Sequence, residues 1–134
     1  MSHDLIEAAT RARQNAVASF SGFKVGAAIQ TPAGRIFTGC NIENASLGLT
    51  VCAERVALWK AISEGEREFT TIGVISDAEP PATPCGACRQ LLWEYCGNIP
   101  VVLASVLGSS RSVPLAELLP QPFGSDYFST GKSD

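Results

Sequence analysis

The sequence has almost no histidine. Its one copy, His3, stands beside the N-terminus, where side chains seldom organise a site. Ser-His-Asp and Cys-His nucleophilic systems and HExxH zinc sites all need an internal histidine, so none of them is available. No GxGxxG or GxxxxGK[ST] stretch occurs, which removes the nucleotide-phosphate cradles. Charge is scarce as well: 17% of the 134 residues are charged, below the usual ~25%. Lys and Arg form no run or stripe and the net charge is −3, so nucleic acid is not expected as a partner. No apolar run approaches the ~20 residues of a membrane span. The start, "MSHDLIEAATRARQ", has no signal-peptide core. The expectation is a cytoplasmic protein with no membrane partner. There, five cysteines, an odd number, read as thiols or metal ligands rather than disulfides. Proton transfer then falls to carboxylates, and any metal to cysteines and carboxylates.

What is present suffices for one domain over residues 1–134 with a real core. Hydrophobic residues make up 46% of the chain, which together with so little charge favours a surface partly covered by copies of itself, a compact monomer with a polar, uncharged surface being the alternative. Residues 4–18 space Leu5, Ala8, Ala9, Ala12 and Ala16 at helical intervals, with Asp4 at the N-terminal end. "KVGAAIQT" and "RIFTGCNI" read as strands of a hairpin around "PAG". "ENASLGLT" is a polar loop leading to Cys52. A second helix follows to about Glu64, stopped by Gly65, with Val56, Leu58, Trp59 and Ile62 available for burial. "FTTIGVIS" reads as a buried strand and "DAEPPATP" as a loop. "CGACRQLLWEYC" reads as a third helix, "IPVVLASVL" as a strand, "RSVP" as a short edge strand and "PLAELLP" as a short helix. The last dozen residues look loosely held. A hairpin followed by strand–helix–strand units predicts a three-layer α/β/α sandwich with a mixed five-stranded sheet.

In that arrangement Cys52, Cys85 and Cys88 lie at two helix heads that meet at one sheet edge. Cys85 and Cys88 form a CxxC, and residues three apart share a helix face. Alone, CxxC leaves three readings open: zinc ligation, a dithiol redox pair, or two buried small residues. Cys52 adds weight to zinc, because zinc enzymes use three protein ligands and leave a fourth position for water. Cys96 is poorly placed to join them, more than ~12 Å down the third helix at 1.5 Å per residue. Cys96 and Cys40 both read as buried small hydrophobes. Three thiolates on Zn²⁺ leave a net negative charge, which helix N-termini and the adjacent Arg55 and Arg89 can offset. Arg55 is expected to donate to the ligand thiolates; for both arginines a plain surface charge is the alternative. Glu54 stands two residues from Cys52 and would not share its face in mid-helix. At the helix head, where side chains lean toward the N-terminus, a group beyond the end can meet both residues. Glu54 then serves as a proton shuttle beside the metal, a position equally suited to complementing the helix dipole.

The segments "FKVGAAI", "GCNIENAS", "CAERVAL", "TPCGACRQ" and "ELLPQPFG" resemble, in order and spacing, the zinc-dependent cytidine deaminases of the small homotetrameric type. The resemblance covers nearly the whole chain. It implies hydrolytic deamination of cytidine and deoxycytidine to uridine and deoxyuridine with loss of ammonia, in pyrimidine salvage, by a homotetramer carrying one zinc per subunit. Residue by residue, it implies that Cys52, Cys85 and Cys88 hold zinc and that Glu54 shuttles protons. It implies that Asn41 and Glu43 hydrogen-bond a ribose hydroxyl, and that backbone beside Ala45 and Ala53 contacts the pyrimidine. Phe23 would stack near the base, and Phe123 would close a neighbouring subunit's pocket. Cysteine as the first ligand separates the chain from relatives with histidine there, such as tRNA adenosine and deoxycytidylate deaminases. Leu47 stands where the family usually has tyrosine; it keeps apolar contact and loses a hydroxyl donor. Deamination of a modified cytosine nucleoside such as blasticidin S, and a non-catalytic zinc-binding protein, are the alternatives.

Overall fold

The computed structural model describes residues 2–128. Helix α1 (Ser2–Arg13) leads to a hairpin of β1 (Gly26–Gln30) and β2 (Ile36–Cys40). Then come α2 (Ala53–Ser63), β3 (Thr71–Ser76), α3 (Gly86–Cys96), β4 (Pro100–Ser105), β5 (Ser110–Pro114) and the single turn α4 (Leu115–Leu118). The sheet order is β2-β1-β3-β4-β5. Only β3 and β4 run parallel; β1 pairs antiparallel with both β2 and β3, and β5 antiparallel with β4. The mixed five-stranded sheet is as the sequence predicts, with "RSVP" inside an edge strand.

Alternation along the strands makes two cores. Ala27, Ile29, Ile72, Val74, Val101 and Leu103 face α2 and α3, while Ala28, Ile75 and Ala104 face Leu5, Ala8 and Ala9 of α1. Both helix layers come very close to the sheet. A Cβ on Gly26 would lie 2.0 Å from the Ala9 carbonyl oxygen, and one on Gly39 would lie 2.5 Å from the Ala53 carbonyl oxygen and the Ala57 nitrogen. The strand glycines therefore admit helix backbone where a side chain would otherwise stand.

Two expectations need correction. Helix α1 ends at Arg13 rather than residue 18. Its continuation is captured by a distant strand end: the Val17 N–H donates to the Asn41 carbonyl at 3.0 Å, and the Glu43 N–H donates to the Val17 carbonyl at 2.8 Å. On α2 the buried stripe is Ala53, Glu54, Ala57, Leu58 and Ala61; of the four large residues expected to be buried Leu58 is, Val56 and Ile62 are half-buried, and Trp59 is not. Trp59 is 41% exposed and meets the edge of Tyr95 at 5.9 Å. The backbone contact at Gly39 leaves room for alanines and none for indole. Of the last dozen residues, Ser125–Phe128 form a 3₁₀ turn, and 129–134 lie outside the described residues.

Candidate active site

The polypeptide leaves β2 through residues 41–52 and enters α2; it leaves β3 through residues 77–85 and enters α3. Cys52 and Cys85 are the N-cap residues of the two helices, each with extended backbone, and neither side chain caps its helix. A serine or aspartate there would turn its oxygen onto the first-turn N–H groups. Cysteine sulfur accepts weakly, and here it is turned elsewhere. The Cys52 and Cys85 sulfurs are 3.8 Å apart, and those of Cys52, Cys85 and Cys88 all lie within 4.8 Å of one another. Tetrahedral zinc with Zn–S bonds of about 2.3 Å requires ligand sulfurs about 3.8 Å apart. The donor set and its spacing thus fit zinc, and neither Cys40 nor Cys96 belongs to the group. Three ligands are the number a catalytic zinc takes, with the fourth position open.

Charge around the sulfurs is arranged to hold a thiolate. Arg55 Nη2 donates to Cys52 Sγ at 3.4 Å, as expected from the sequence. Cys52 is brought down to about 5, first by the hydrogen bond from the Cys88 thiol, against its own desolvation and with help from Arg55. Cys88 moves the opposite way because it supplies that hydrogen bond and is buried. Arg55 Nε is the one buried side-chain polar atom without a partner among the described residues. Arg89 has other work. Its Nε donates to the Pro84 carbonyl, Nη1 to the Leu118 carbonyl and Nη2 to Thr83 Oγ1, each at 2.7 Å. It fixes the loop entering Cys85 instead of meeting a sulfur.

Glu54 is the second residue of α2, 5% exposed, and opens onto a cavity of about 270 Å³ that Cys52 and Cys85 also line. Desolvation pushes its carboxyl up to about 7, with its own backbone N–H opposing and the Cys52 charge adding. A carboxyl poised there can both take and release a proton near neutral pH. Phe23, Asn41, Glu43 and Ala53 line the same cavity. Ala45 is exposed and outside the lining. Leu47, 69% exposed, borders an adjoining recess with Phe20, Glu43 and Thr50. Phe123, 55% exposed, lies outside its own chain's cavity; it stacks on Tyr127 at 5.2 Å, and its carbonyl accepts from Gln90 Nε2. Ser21, Thr50, Ser76 and Thr83 complete the polar wall. Sequence reasoning passed over them because isolated hydroxyl residues carry no spacing signal.

The family description "Cytidine and deoxycytidylate deaminase zinc-binding region" matches residues 1–104, which contain every one of these cavity residues. The chain belongs to this deaminase family. It is 44% identical over 126 residues to a cytidine deaminase of Sporosarcina psychrophila, spanning 93% of each chain. The crystal structure of cytidine deaminase from Burkholderia pseudomallei superposes with a TM-score of 0.88 at 47% identity, covering 92% of this chain and 99% of that one. A blasticidin-S deaminase of Bacillus cereus is less similar, 36% identical over 104 residues, 72% of this chain and 74% of the relative. As a member of a zinc-binding deaminase family the protein is an enzyme, and of the three readings of CxxC the metal ligand is the one that stands.

Proposed function

We propose that residues 1–134 form one deaminase domain that hydrolyses cytidine and deoxycytidine to uridine and deoxyuridine with release of ammonia. The observation carrying this reading is the convergence of a three-thiol cluster and a buried carboxyl, Glu54, on one cavity whose other end bears Asn41 and Glu43. Cys52, Cys85 and Cys88 would hold zinc, which when bound supplies the Lewis acidity that makes water nucleophilic near neutral pH. Glu54 accepts the proton that the attacking water gives up and delivers it to ring N3. The water oxygen bonds to C4; Glu54 then takes the second proton, from the hydroxyl now on C4, and gives it to the amino group as the C4–N bond breaks, so that water and nucleoside become ammonia and the uracil nucleoside. Arg55 and the two helix heads stabilise the thiolate ligands. Asn41 and Glu43 take a sugar hydroxyl, Phe23 lies against the base, and the backbone beside Ala45 and Ala53 contacts the ring.

The higher identity and coverage of the cytidine deaminases favour ordinary nucleosides over blasticidin S. A homotetramer in the cytoplasm, serving pyrimidine salvage, completes the reading. It is supported by large exposed apolar residues beside the site, Phe20, Leu47 and Leu49, and by the exposed aromatics Phe123, Tyr127 and Phe128, which suit subunit contact. Phe123 in this reading closes a neighbour's pocket. Among the described residues no helix is long and apolar enough to cross a membrane.

The test is zinc content and ammonia release over cytidine, deoxycytidine and modified cytidines, for the parent protein and Glu54→Gln. One zinc per chain is expected in both proteins, with kcat of the variant lower by about 10³-fold or more. Near-normal turnover by Glu54→Gln would sink the assignment.

A further inference from the structure

Both backbone groups of Phe23 are taken by polar side chains of the cavity wall. Its N–H donates to Ser21 Oγ at 3.0 Å, and its carbonyl accepts from Asn41 Nδ2 at 2.8 Å. Ser21 Oγ in turn donates to Glu43 Oε2. Glu43 Oε1 accepts from the N–H groups of Phe20 at 2.9 Å and Ser21 at 3.0 Å. Asn41 Oδ1 accepts from the Val25 N–H at 2.8 Å. Gly22, at φ +70°, lets the chain fold back so that the Ser21 hydroxyl reaches the N–H two residues on.

The counting of lone pairs and protons is specific. A serine hydroxyl has one proton and two acceptor sites. Ser21 spends the proton on Glu43 and one acceptor site on Phe23. A carboxylate offers about four acceptor sites. Three are filled by Phe20 and Ser21, which leaves Glu43 room for a further donor from the cavity. The Ser21 hydroxyl, followed by its N–H, also holds the Glu43 carboxyl below its usual range. Glu43 therefore remains an acceptor, as a sugar hydroxyl requires.

We propose that Ser21 is a positioning residue that ties the sugar-recognising carboxylate of Glu43 to the base-side Phe23, so that one hydrogen-bonded unit reads both halves of the nucleoside. The proposal rests on Asn41 and Glu43 being the sugar contacts. It makes Ser21 a determinant of affinity and sugar preference, acting through Glu43. The ties exist before substrate arrives and are the same in ground and transition states, so their loss acts on KM and leaves kcat alone.

The experiment compares Ser21→Ala, Ser21→Gly, Ser21→Thr, Glu43→Gln and the Ser21→Ala/Glu43→Gln pair in the zinc-loaded enzyme. Substrates are cytidine and 2′,3′-dideoxycytidine, the latter read as an inhibition constant if it does not turn over. Cytidine affinity is also measured by calorimetry in the Glu54→Gln background. Loss of a hydrogen bond to a charged group predicts a cytidine KM and dissociation constant raised about tenfold by Ser21→Ala or Ser21→Gly. The kcat stays within about twofold. The effect is smaller for the dideoxynucleoside, Ser21→Thr recovers the parent value, and Ser21→Ala adds less than about twofold once Glu43 is already glutamine. Equal losses for both nucleosides, or losses that multiply in the pair, overturn the proposal while the sugar contacts stand. If Glu43→Gln leaves the preference between the two nucleosides unchanged, the sugar reading fails and the proposal falls with it.

Discussion

The two ends of the cavity are built by different means. At the cysteine end, Cys52, Glu54, Cys85 and Cys88 ride on the starts of two helices whose backbones are packed into the core. The positions of Cys52 and Glu54 follow from helix geometry and the close approach of α2 at Gly39, and those of Cys85 and Cys88 from helix geometry and the Arg89 hydrogen bonds that fix the loop before them. At the carboxylate end, Glu43 and Phe23 ride on irregular chain, and order comes from side-chain hydrogen bonds to backbone. Groups that would touch reacting atoms stand on the rigid scaffold, and groups that would recognise the sugar stand on laced loops. Misplacement by a fraction of an ångström matters for the first task and less for the second.

The sharpest way to break this contrast is Gly39→Ala, on β2 two residues before Asn41, where the sheet admits the backbone of α2. The added methyl meets the α2 backbone at Ala53 and Ala57 and the Cβ of Val56, none of which can swing aside, so α2 must shift, at a cost of about 3 kcal/mol. The melting temperature should fall and zinc should dissociate more readily, whereas Ser21→Ala should leave both unchanged. If Gly39→Ala melts and binds zinc like the parent protein, the cysteine end is not positioned by core packing. Arg89→Ala should act more weakly on the same end, because it removes three hydrogen bonds to the loop before Cys85 and to Leu118. A loss of about 2 kcal/mol in denaturant unfolding is expected. The smallest effect is a non-event at Cys96, whose thiol burial pushes up to about 12. At pH 8 roughly one part in ten thousand is ionised. In the zinc-stripped protein, iodoacetamide should alkylate the exposed Cys85 and spare Cys96; equal labelling by peptide mass would refute the assignment.

Much of the cysteine end was legible in the sequence because helix starts are local. The i, i+2 spacing of Cys52 and Glu54 makes sense only if the helix begins there, and Cys52 is its N-cap. CxxC likewise places Cys85 and Cys88 on one turn. The end of α1 was not legible, because the pairing of Val17 with Ile42 that stops it is made by residues far apart in the chain. Burial on α2 was read correctly at Leu58 and misread at Trp59 for a related reason: Gly39 decides that alanines face the sheet, and no pattern within α2 announces a glycine on β2. Ser21 was missed because a hydroxyl gains its meaning from partners on other segments. Phe123 and Leu47 were singled out by resemblance, and both are exposed on the described surface of this chain.

Ile42 and Val51 exchange backbone hydrogen bonds, N–H to carbonyl in both directions at 3.0 Å, and close the neck of the loop that carries Glu43, Leu47 and Thr50. Beyond Glu43, which is itself tied to Val17, Phe20 and Ser21, changes of length or composition before Val51 need not be transmitted to Cys52, which follows immediately after. The loop is in this sense an exchangeable cartridge. Grafted segments inserted there could alter which sugars or sugar substitutes are accepted while the thiol cluster stays in register, a practical route to new nucleoside preferences on an unchanged metal centre.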